Sequence, residues 1–311
     1  MLFSVLIANY NNANYIDAAI DSIKNQTYSD WEIIIVDDCS TDVFKTKAAT
    51  YSEENRIKIY FNGENQGCGY TKRRCCDLAT GQVLGFLDPD DILHPEALET
   101  MINAHKFHPT CSLIYSSHYI CNEYLEVKRV AEYCKALPLD TPYLLLSDGS
   151  IHHFATFKQG SYLKTEGLSP DNKKAVDQDL YYKLEEVGGV FFINTPLYYY
   201  RIHNQGISTS GNEAAATLWH YKIIEEACLR RLDLLKTKKD SPLVNLYKAR
   251  YRKIKVFSSF RKGDWPGFLW NLFLFPFSGG AGNAFNYLRK LPREGFSLIQ
   301  RSFFYDHKIR V

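Results

Sequence analysis

The 311-residue sequence contains no long apolar run, no paired-cysteine motif and no glycine-rich phosphate loop. No stretch approaches the roughly 18 consecutive apolar residues of a membrane-spanning helix. The eight cysteines form no CxxC pair, which argues against zinc ribbons and a disulfide framework. Neither GxxxxGK(S/T) nor GxGxxG occurs, so ATP hydrolysis and NAD chemistry lose support. No charged leader precedes a cleavable apolar segment, and we expect a reducing, cytoplasmic location.

Charge is unevenly distributed along the chain, although the net charge is only +2. Residues 213–311 hold 19 Lys or Arg against 8 Asp or Glu, whereas the remainder holds 18 against 27. This asymmetry predicts that the two parts of the chain face different partners. We therefore expect a division into residues 1–211 and 212–311.

The first part alternates apolar, β-branched runs with segments of helical periodicity. The predicted strands are Phe3–Ala8, Trp31–Val36, Ile57–Phe61, Val83–Leu87 and Cys111–Tyr115. Helices are expected between them, and the alternation predicts an α/β fold with a mostly parallel, Rossmann-like central sheet and ligands at the carboxyl ends of its strands.

Periodicity weakens from residue 123 to 169, where we expect loops and short helices. Regularity returns with a predicted helix over 176–187 and two short strands over 190–193 and 197–200. Beyond residue 211 the sequence predicts basic, aromatic helices.

Two acidic clusters directly follow apolar strands. Asp88-Pro89-Asp90-Asp91 follows one strand, and Asp37-Asp38 with Ser40 follows another. Buried carboxylates are costly unless they face water or hold a cation, and oxygen ligands suit magnesium or manganese. The alternatives are a polar turn in which Asp91 caps the next helix, and an N-cap role for Asp38 or Ser40.

Between these clusters, Gly67 and Gly69 precede the basic run Lys72-Arg73-Arg74. Glycines before a basic helix start would let backbone N–H groups and cations approach a phosphate. Three adjacent cations usually form a solvated face, so at most one or two should point inward.

The order of SVLIANYNN, WEIIIVDDCSTD, NQGCGYTKRR, GQVLGFLDPDD and AVDQDLYYKL resembles the inverting glycosyltransferases of family 2, of the bacterial surface-polysaccharide type. The resemblance covers roughly the first 210 residues and implies a GT-A fold. Residues 1–120 would bind the nucleotide-sugar and residues 121–211 the acceptor.

The resemblance also implies roles for individual residues. Tyr10 would pack on the nucleotide base and Asp37 would contact it, most often as uracil. The fourth strand would carry the family's DxD motif, with Asp88 near the ribose and the divalent metal and Asp90 as the main metal ligand. Asp91 would be structural.

Asp177 falls on the family's catalytic-base position and would take the proton from an acceptor hydroxyl. Lys72 would contact the donor, although the family usually reads Arg-Asn where this chain has Lys72-Arg73. His203 lies in a segment resembling Tyr-Arg-x-His and would ligate the metal or bond a diphosphate oxygen. An ordinary hydrogen-bonding histidine is the alternative.

The C-terminal part interleaves cations with aromatics over 251–262, and the apolar tract FLWNLFLFPF follows. This composition predicts an interfacial element over 251–277 on an anionic membrane surface, peripheral to the inner face of the cytoplasmic membrane. Packing on the catalytic domain or a second subunit is the alternative. No nucleic-acid module is recognisable.

Together these features predict a metal-dependent inverting glycosyltransferase that moves a sugar from a nucleotide donor, most often UDP-linked, to a glycan or lipid-linked oligosaccharide acceptor. A nucleotidyltransferase is one alternative, but residues 8–14 contain no glycine for its phosphate loop. A non-catalytic sugar-nucleotide-binding protein is the other, and Asp90 together with Asp177 argues against it.

Overall fold

A computed structural model describes residues 1–51, 53–203, 213–238 and 240–274. It divides the chain into two compact units, Met1–Ile223 and Ile224–Val311. The boundary expected at residue 211 lies outside the described residues, so the division into 1–211 and 212–311 stays a prediction.

Nine strands of the described residues join in one sheet with the order β3-β2-β1-β4-β8-β6-β9-β5, and β7 pairs with β6. The strands are β1 (Phe3–Asn9), β2 (Trp31–Asp37), β3 (Ile57–Phe61), β4 (Val83–Phe86), β5 (Ile92–Leu93), β6 (Cys111–Cys121), β7 (Val127–Val130), β8 (Ala155–Lys158) and β9 (Gly189–Arg201). The helices are α1 (Ile16–Lys24), α2 (Phe44–Tyr51), α3 (Cys68–Leu78), α4 (Ala97–Phe107), α5 (Tyr143–Leu146), α6 (Gln159–Tyr162), α7 (Val176–Glu185), α8 (Glu213–Leu234), α9 (Pro242–Lys262) and α10 (Trp265–Leu274).

The first half of the sheet is parallel, as its sequence predicts. β1 pairs in parallel with both β2 and β4, and β2 pairs in parallel with β3. Every residue of β2 is buried, and its central residues Ile33–Val36 are all apolar, as expected of a parallel strand that is covered on both faces. The predicted α/β architecture with flanking helices is confirmed.

The second half of the sheet is mixed, and here the structure differs from the prediction. β8 lies in the segment expected to be loops and short helices, yet it runs antiparallel between β4 and β6 in the middle of the sheet. β9 is one continuous strand where two were predicted, and it pairs in parallel with β6. Four residues leave β8 too short to show a period, so only its two neighbours define it.

Helix α4 illustrates how the sequence pattern fixes the packing. Leu98, Met101, Ile102 and His105 recur at helical spacing, and all four are buried against the core. Nε2 of His105 lies 3.0 Å from the Thr156 hydroxyl of β8, so this nitrogen of the buried ring has a hydrogen-bond partner within the core.

The second unit is described up to residue 274 and contains α9 and α10. Pro242 stands at the first position of α9, and Gly263 ends the helix in a left-handed conformation with φ of 70°. The Asp264 carboxylate then accepts the Gly267 N–H at 3.0 Å in the first turn of α10. None of the helices within the described residues has both the length and the apolar character needed to cross a membrane.

Candidate active site

The carboxyl ends of β1, β2 and β4 meet at one edge of the sheet, where an α/β protein binds its ligands. Asn9 ends β1 and Asp37 ends β2, with these two residues paired in the parallel register. Asp88 follows β4 by two residues. Tyr10, the next residue after β1, is 46% exposed, so its ring is available for the base packing predicted from sequence.

Asp37 is buried and anchors the turn that follows β2. Its carboxylate accepts hydrogen bonds from the Asn9 side-chain amide at 2.7 Å and from the Ser40 hydroxyl at 2.6 Å. The Ser40 backbone N–H donates to the other carboxylate oxygen at 2.9 Å. The expected contact between Asp37 and a nucleotide base stays a prediction.

Asp38 holds the turn that leads into α3, a role that the sequence did not reveal. Its two carboxylate oxygens accept the backbone N–H groups of Gln66 at 2.9 Å and Gly67 at 2.8 Å. The Gly69 N–H donates to the Asn172 carbonyl at 3.0 Å. The N–H groups of Gly67 and Gly69 thus have acceptors within the protein, and the expected approach of backbone N–H groups to a phosphate stays a prediction. Asp38 bonds to the turn before α3 and does not cap the helix directly after it.

Lys72 brings two of the predicted site residues together. Its Nζ lies 2.8 and 3.0 Å from the two carboxylate oxygens of Asp177 and 3.4 Å from Oδ1 of Asp88. The Lys72 side chain is only 5% exposed, whereas both carboxylates are 31% exposed. As expected, one cation of the basic run points inward, and it links Asp177, the predicted catalytic base, to Asp88.

Ionisation in this cluster follows from burial and mutual charge. Burial disfavours the ammonium form of Lys72, but Asp177 and Asp88 outweigh burial and raise its pKa well above the ordinary value. Burial likewise disfavours ionised Asp88, yet Lys72 and His153 together lower the pKa of this carboxyl. Asp88 and Lys72 are therefore both charged at neutral pH.

Two residues that the sequence did not assign to the site also contact Asp88. His153 places Nε2 3.7 Å from Oδ2 of Asp88, and its ring stacks on that of Tyr198 with centroids 4.8 Å apart. The Tyr198 hydroxyl accepts the backbone N–H of Asp88 at 3.2 Å and donates to Asp91 at 2.7 Å. The sequence offered only a weak signal, an aromatic run at the end of β9.

Asp90 and Asp91 point to different neighbours. Oδ2 of Asp90 accepts a hydrogen bond from Nε2 of His203 at 2.8 Å. Asp91 is 1% exposed and accepts bonds from the Tyr198 hydroxyl and from the Arg201 backbone N–H, each at 2.7 Å. These bonds tie the end of β9 to the acidic turn and agree with the structural role expected of Asp91.

The pKa values of Asp90 and Asp91 are shifted in the direction opposite to that of Asp88. Burial and the negative charge of Asp88 raise the pKa of Asp90, although the hydrogen bond from His203 opposes this shift. Burial and the charges of Asp90 and Asp88 raise the pKa of Asp91 well above its usual range. Three carboxyl groups this close repel one another, and a cation that reaches them would lower the cost of ionising Asp90.

The predicted metal ligands Asp88, Asp90 and His203 do not form a ready-made cluster. Among the residues that the structure describes, no group of three or more His, Cys, Asp or Glu side chains could hold a metal ion. The reason is that Asp88 turns toward Lys72, whereas His203 is occupied with Asp90. Two carboxylates alone fit a magnesium or manganese ion whose other ligands are substrate phosphates.

Residues 4–164 match the family described as glycosyl transferase family 2. A chondroitin synthase of Escherichia coli is 31% identical over 258 residues, which cover 80% of this chain and 35% of that protein. The chain thus spans about a third of the length of that curated relative.

Two solved structures resemble the fold at low sequence identity. Staphylococcus aureus TarS in complex with UDP-GlcNAc superposes with a TM-score of 0.69 at 17% identity, covering 91% of this chain and 83% of that one. A mannosyltransferase from Pyrobaculum calidifontis in complex with GDP-Man and Mn²⁺ gives a TM-score of 0.57 at 16% identity, covering 98% and 85%. At these identities the likeness concerns the fold alone.

Proposed function

The chain belongs to glycosyltransferase family 2, and from this premise we propose that it transfers a sugar from a nucleotide-sugar donor to a glycan acceptor with inversion at the anomeric carbon. The family and the GT-A fold expected from the motifs are confirmed. The donor, the acceptor and the residue roles below are proposals that rest on the crevice geometry.

On the donor side we assign the nucleotide to the edge formed by β1 and β2. The exposed ring of Tyr10 would pack on the base, and Asp37 would fix the turn beneath it. Uracil is the base we propose, because TarS carries UDP-GlcNAc in a fold that this chain shares. Asp88 would meet the ribose and the diphosphate.

On the acceptor side Asp177 is the proposed base. It lies in the first turn of α7, and both of its oxygens are held by Lys72, so the carboxylate has a fixed orientation. The acceptor hydroxyl would give its proton to Asp177 while its oxygen attacks the anomeric carbon. A single displacement needs no covalent nucleophile on the protein, and it inverts the anomeric centre.

Asp88 and Asp90 would hold a divalent metal ion together with the donor phosphates. Such an ion, manganese or magnesium, supplies charge neutralisation for the departing diphosphate. His203 would orient Asp90 through its 2.8 Å hydrogen bond, and direct ligation of the metal by His203 is the alternative role that the sequence predicts.

One observation carries this proposal: the candidate base Asp177 and the DxD residue Asp88 contact the same buried ammonium, 105 and 16 residues away from it in sequence. The test is a panel of nucleotide sugars offered with manganese and with glycan acceptors, scored by mass spectrometry for an extended product. We expect transfer from a UDP-sugar by the native chain and only a low residual rate, reduced by about 100-fold or more, by Asp177→Asn, which should still bind UDP. Equal transfer by both proteins would reject Asp177 as the base.

For the second unit we propose contact with an anionic membrane surface, where a lipid-linked acceptor would reside. The exposed apolar side chains of α10 recur at helical spacing and share one face; they are Trp265, Leu269, Trp270 and Phe273. Between residues 242 and 274, Lys and Arg number seven and Asp and Glu one. Aromatics beside cations suit an anionic interface. Residues 275–277 of the predicted segment lie outside the described residues.

A further inference from the structure

Lys72 makes contacts that binding of a donor does not explain. Two of the three hydrogens on its ammonium group are directed at Asp177, at 2.8 and 3.0 Å, and Asp88 lies slightly farther away at 3.4 Å. A lysine whose only role was to bind the diphosphate would not need to contact both carboxylate oxygens of the proposed base, Asp177. The ammonium also lies 4.9 Å from the centre of the Phe86 ring, at the end of β4, which keeps it in the interior.

The backbone around Lys72 is fixed against the segment that carries Asp177. Gly69 donates to the Asn172 carbonyl at 3.0 Å, and a Cβ at Gly69 would lie 2.4 Å from that oxygen. One turn further along α3, Arg73 donates to the Leu168 carbonyl at 2.9 Å. Three successive contacts of α3 therefore reach the chain before and at the start of α7. The distance from Lys72 to Asp177 is set by the fold and not by chance side-chain placement.

We propose that Lys72 is a positioning residue for Asp177 and that its charge serves first the base and then the leaving group. This inference rests on the proposed glycosyl transfer. In that step the acceptor proton moves to a carboxylate oxygen of Asp177, and the acceptor oxygen forms the new bond to the anomeric carbon. The bond from the anomeric carbon to the diphosphate breaks, and its electron pair stays on the diphosphate.

The charge balance around Lys72 changes during this step. Before transfer, the negative charge of Asp177 offsets that of the ammonium. After proton transfer Asp177 is neutral, while one negative charge has developed on the diphosphate on the Asp88 side. The ammonium, which stands between the two, then interacts more strongly with the leaving group than it did in the ground state. Interactions that strengthen toward the transition state raise kcat and leave KM nearly unchanged.

Lysine suits this role better than arginine at this position. The ammonium is a compact point charge with three hydrogens, and three carboxylate oxygens stand within 3.4 Å of it. A planar guanidinium would pair with one carboxylate in a fork and would need more room than this buried position leaves. Arginine should therefore restore only part of the activity.

The test compares Lys72→Met and Lys72→Arg with a matched control, Lys183→Met. Lys183 is also buried and pairs with an aspartate on α7, its Nζ being 2.7 Å from Asp179 and 2.8 Å from the Gly167 carbonyl. For each variant, circular dichroism gives the folded fraction, calorimetry with manganese gives the Kd of UDP, and steady-state assays give kcat and the donor KM.

We expect Lys72→Met to lower kcat by about 100-fold while the donor KM and the Kd of UDP change by less than about threefold. Lys72→Arg should recover about tenfold of that loss. Lys183→Met should lower the unfolding temperature but keep kcat per folded molecule within about threefold, since removing one partner of a buried pair costs stability. In the Asp177→Asn background, Lys72→Met should reduce the residual rate by less than about threefold. The reason is that the effects of substitutions at residues that act as one unit are not additive.

Two other results would contradict the proposed role of Lys72 and leave the proposed glycosyl transfer intact. A large rise in donor KM and in the Kd of UDP at unchanged kcat would make Lys72 a donor ligand only. A full additional loss in the Asp177→Asn background would mean that Lys72 does not act through Asp177. If the native chain transferred sugar from none of the donors, both proposals would be rejected together.

Discussion

Asp90 accepts a hydrogen bond from His203, which lies 113 residues further along the chain, with 2.8 Å between Oδ2 and Nε2. Arg201, two residues before this histidine, donates to the Asp90 carbonyl at 2.6 Å. Arg201 at the end of β9 and His203 just after it thus hold Asp90 by its backbone and its side chain, respectively. This relationship fixes the orientation of Asp90, the proposed metal ligand.

Removing the Asp90 carboxylate tests its proposed metal role. Asp90→Ala is expected to weaken manganese-dependent UDP binding by about 100-fold, and His203→Ala by about tenfold, since a group that orients a metal ligand typically affects affinity less than the ligand itself. Calorimetry with and without manganese measures both effects. Asp77→Ala, at an aspartate 59% exposed on α3, serves as the control and should bind UDP normally. An equal loss without manganese would show that Asp90 contacts the nucleotide instead.

Gly69 permits the close approach between α3 and the segment before α7. A methyl group there would lie 2.4 Å from the Asn172 carbonyl oxygen and 2.5 Å from that of Ser169. Both are backbone atoms, so relieving the clash would require the chain itself to shift. We expect Gly69→Ala to cost about 1–3 kcal/mol of unfolding free energy and to lower kcat, because the shift moves Lys72 relative to Asp177.

The matched control is Gly160→Ala in α6, where no atom lies within 4 Å of the added methyl group. Urea unfolding followed by circular dichroism compares the two variants. Equal stability of both proteins would mean that the segment near Asn172 moves freely away from α3.

The ionisation of Glu32 should make the unfolding free energy depend on pH. Burial opposes ionisation of this carboxyl, but hydrogen bonds from Lys58, Ser4 and Thr80 outweigh it and hold its pKa below the ordinary value of 4.5. A carboxyl whose pKa is lower in the folded state stabilises the protein above its unfolded pKa, and this contribution disappears as the pH falls through the folded pKa.

Glu32→Gln should therefore lower the unfolding free energy by about 2 kcal/mol near neutral pH, with a smaller difference from the native protein at about pH 3. Urea titrations at both pH values measure this. A difference that stays constant with pH would mean that packing of the side chain, and not its charge, makes the contribution.

We expect membrane binding to depend on the exposed face of α10. Replacing Trp265 and Trp270 together with serine is expected to reduce co-sedimentation with vesicles that contain anionic lipid by about tenfold, since both rings would enter the interface. Phe107→Ser, at an aromatic residue 85% exposed on α4, should leave binding unchanged. Binding to neutral and anionic vesicles alike, with no effect of the double variant, would contradict the proposal and favour a protein partner for this face.

Sequence patterns predicted the first half of the molecule well and the middle poorly. β1 to β4 and α4 were recognisable because their periodicity involves residues a few positions apart. β8 was not, since four residues carry too little pattern and its place between β4 and β6 depends on strands 70 and 40 residues away in the chain. Long-range pairing of this kind leaves no local trace.

The candidate site, too, was predictable from the sequence only in part. Acidic residues at strand ends, the basic run of α3 and the acidic start of α7 are visible in the sequence, and their order identified the family. The use of Asp38 to hold the turn before α3, and the contacts of His153 and Tyr198 with Asp88, were not visible. Each depends on a loop or strand whose position is set by the whole sheet.

The sequence by itself determined the family, the α/β alternation and the residue types that the chemistry needs, because these follow from composition and short-range spacing. Only the tertiary structure decided which charges meet. It joined Lys72 to Asp177 across 105 residues and turned Asp90 toward His203, leaving Asp88 to face the lysine. The reason is physical: a buried charge is tolerated only beside an opposite charge or a donor, and the fold determines which partner is within reach.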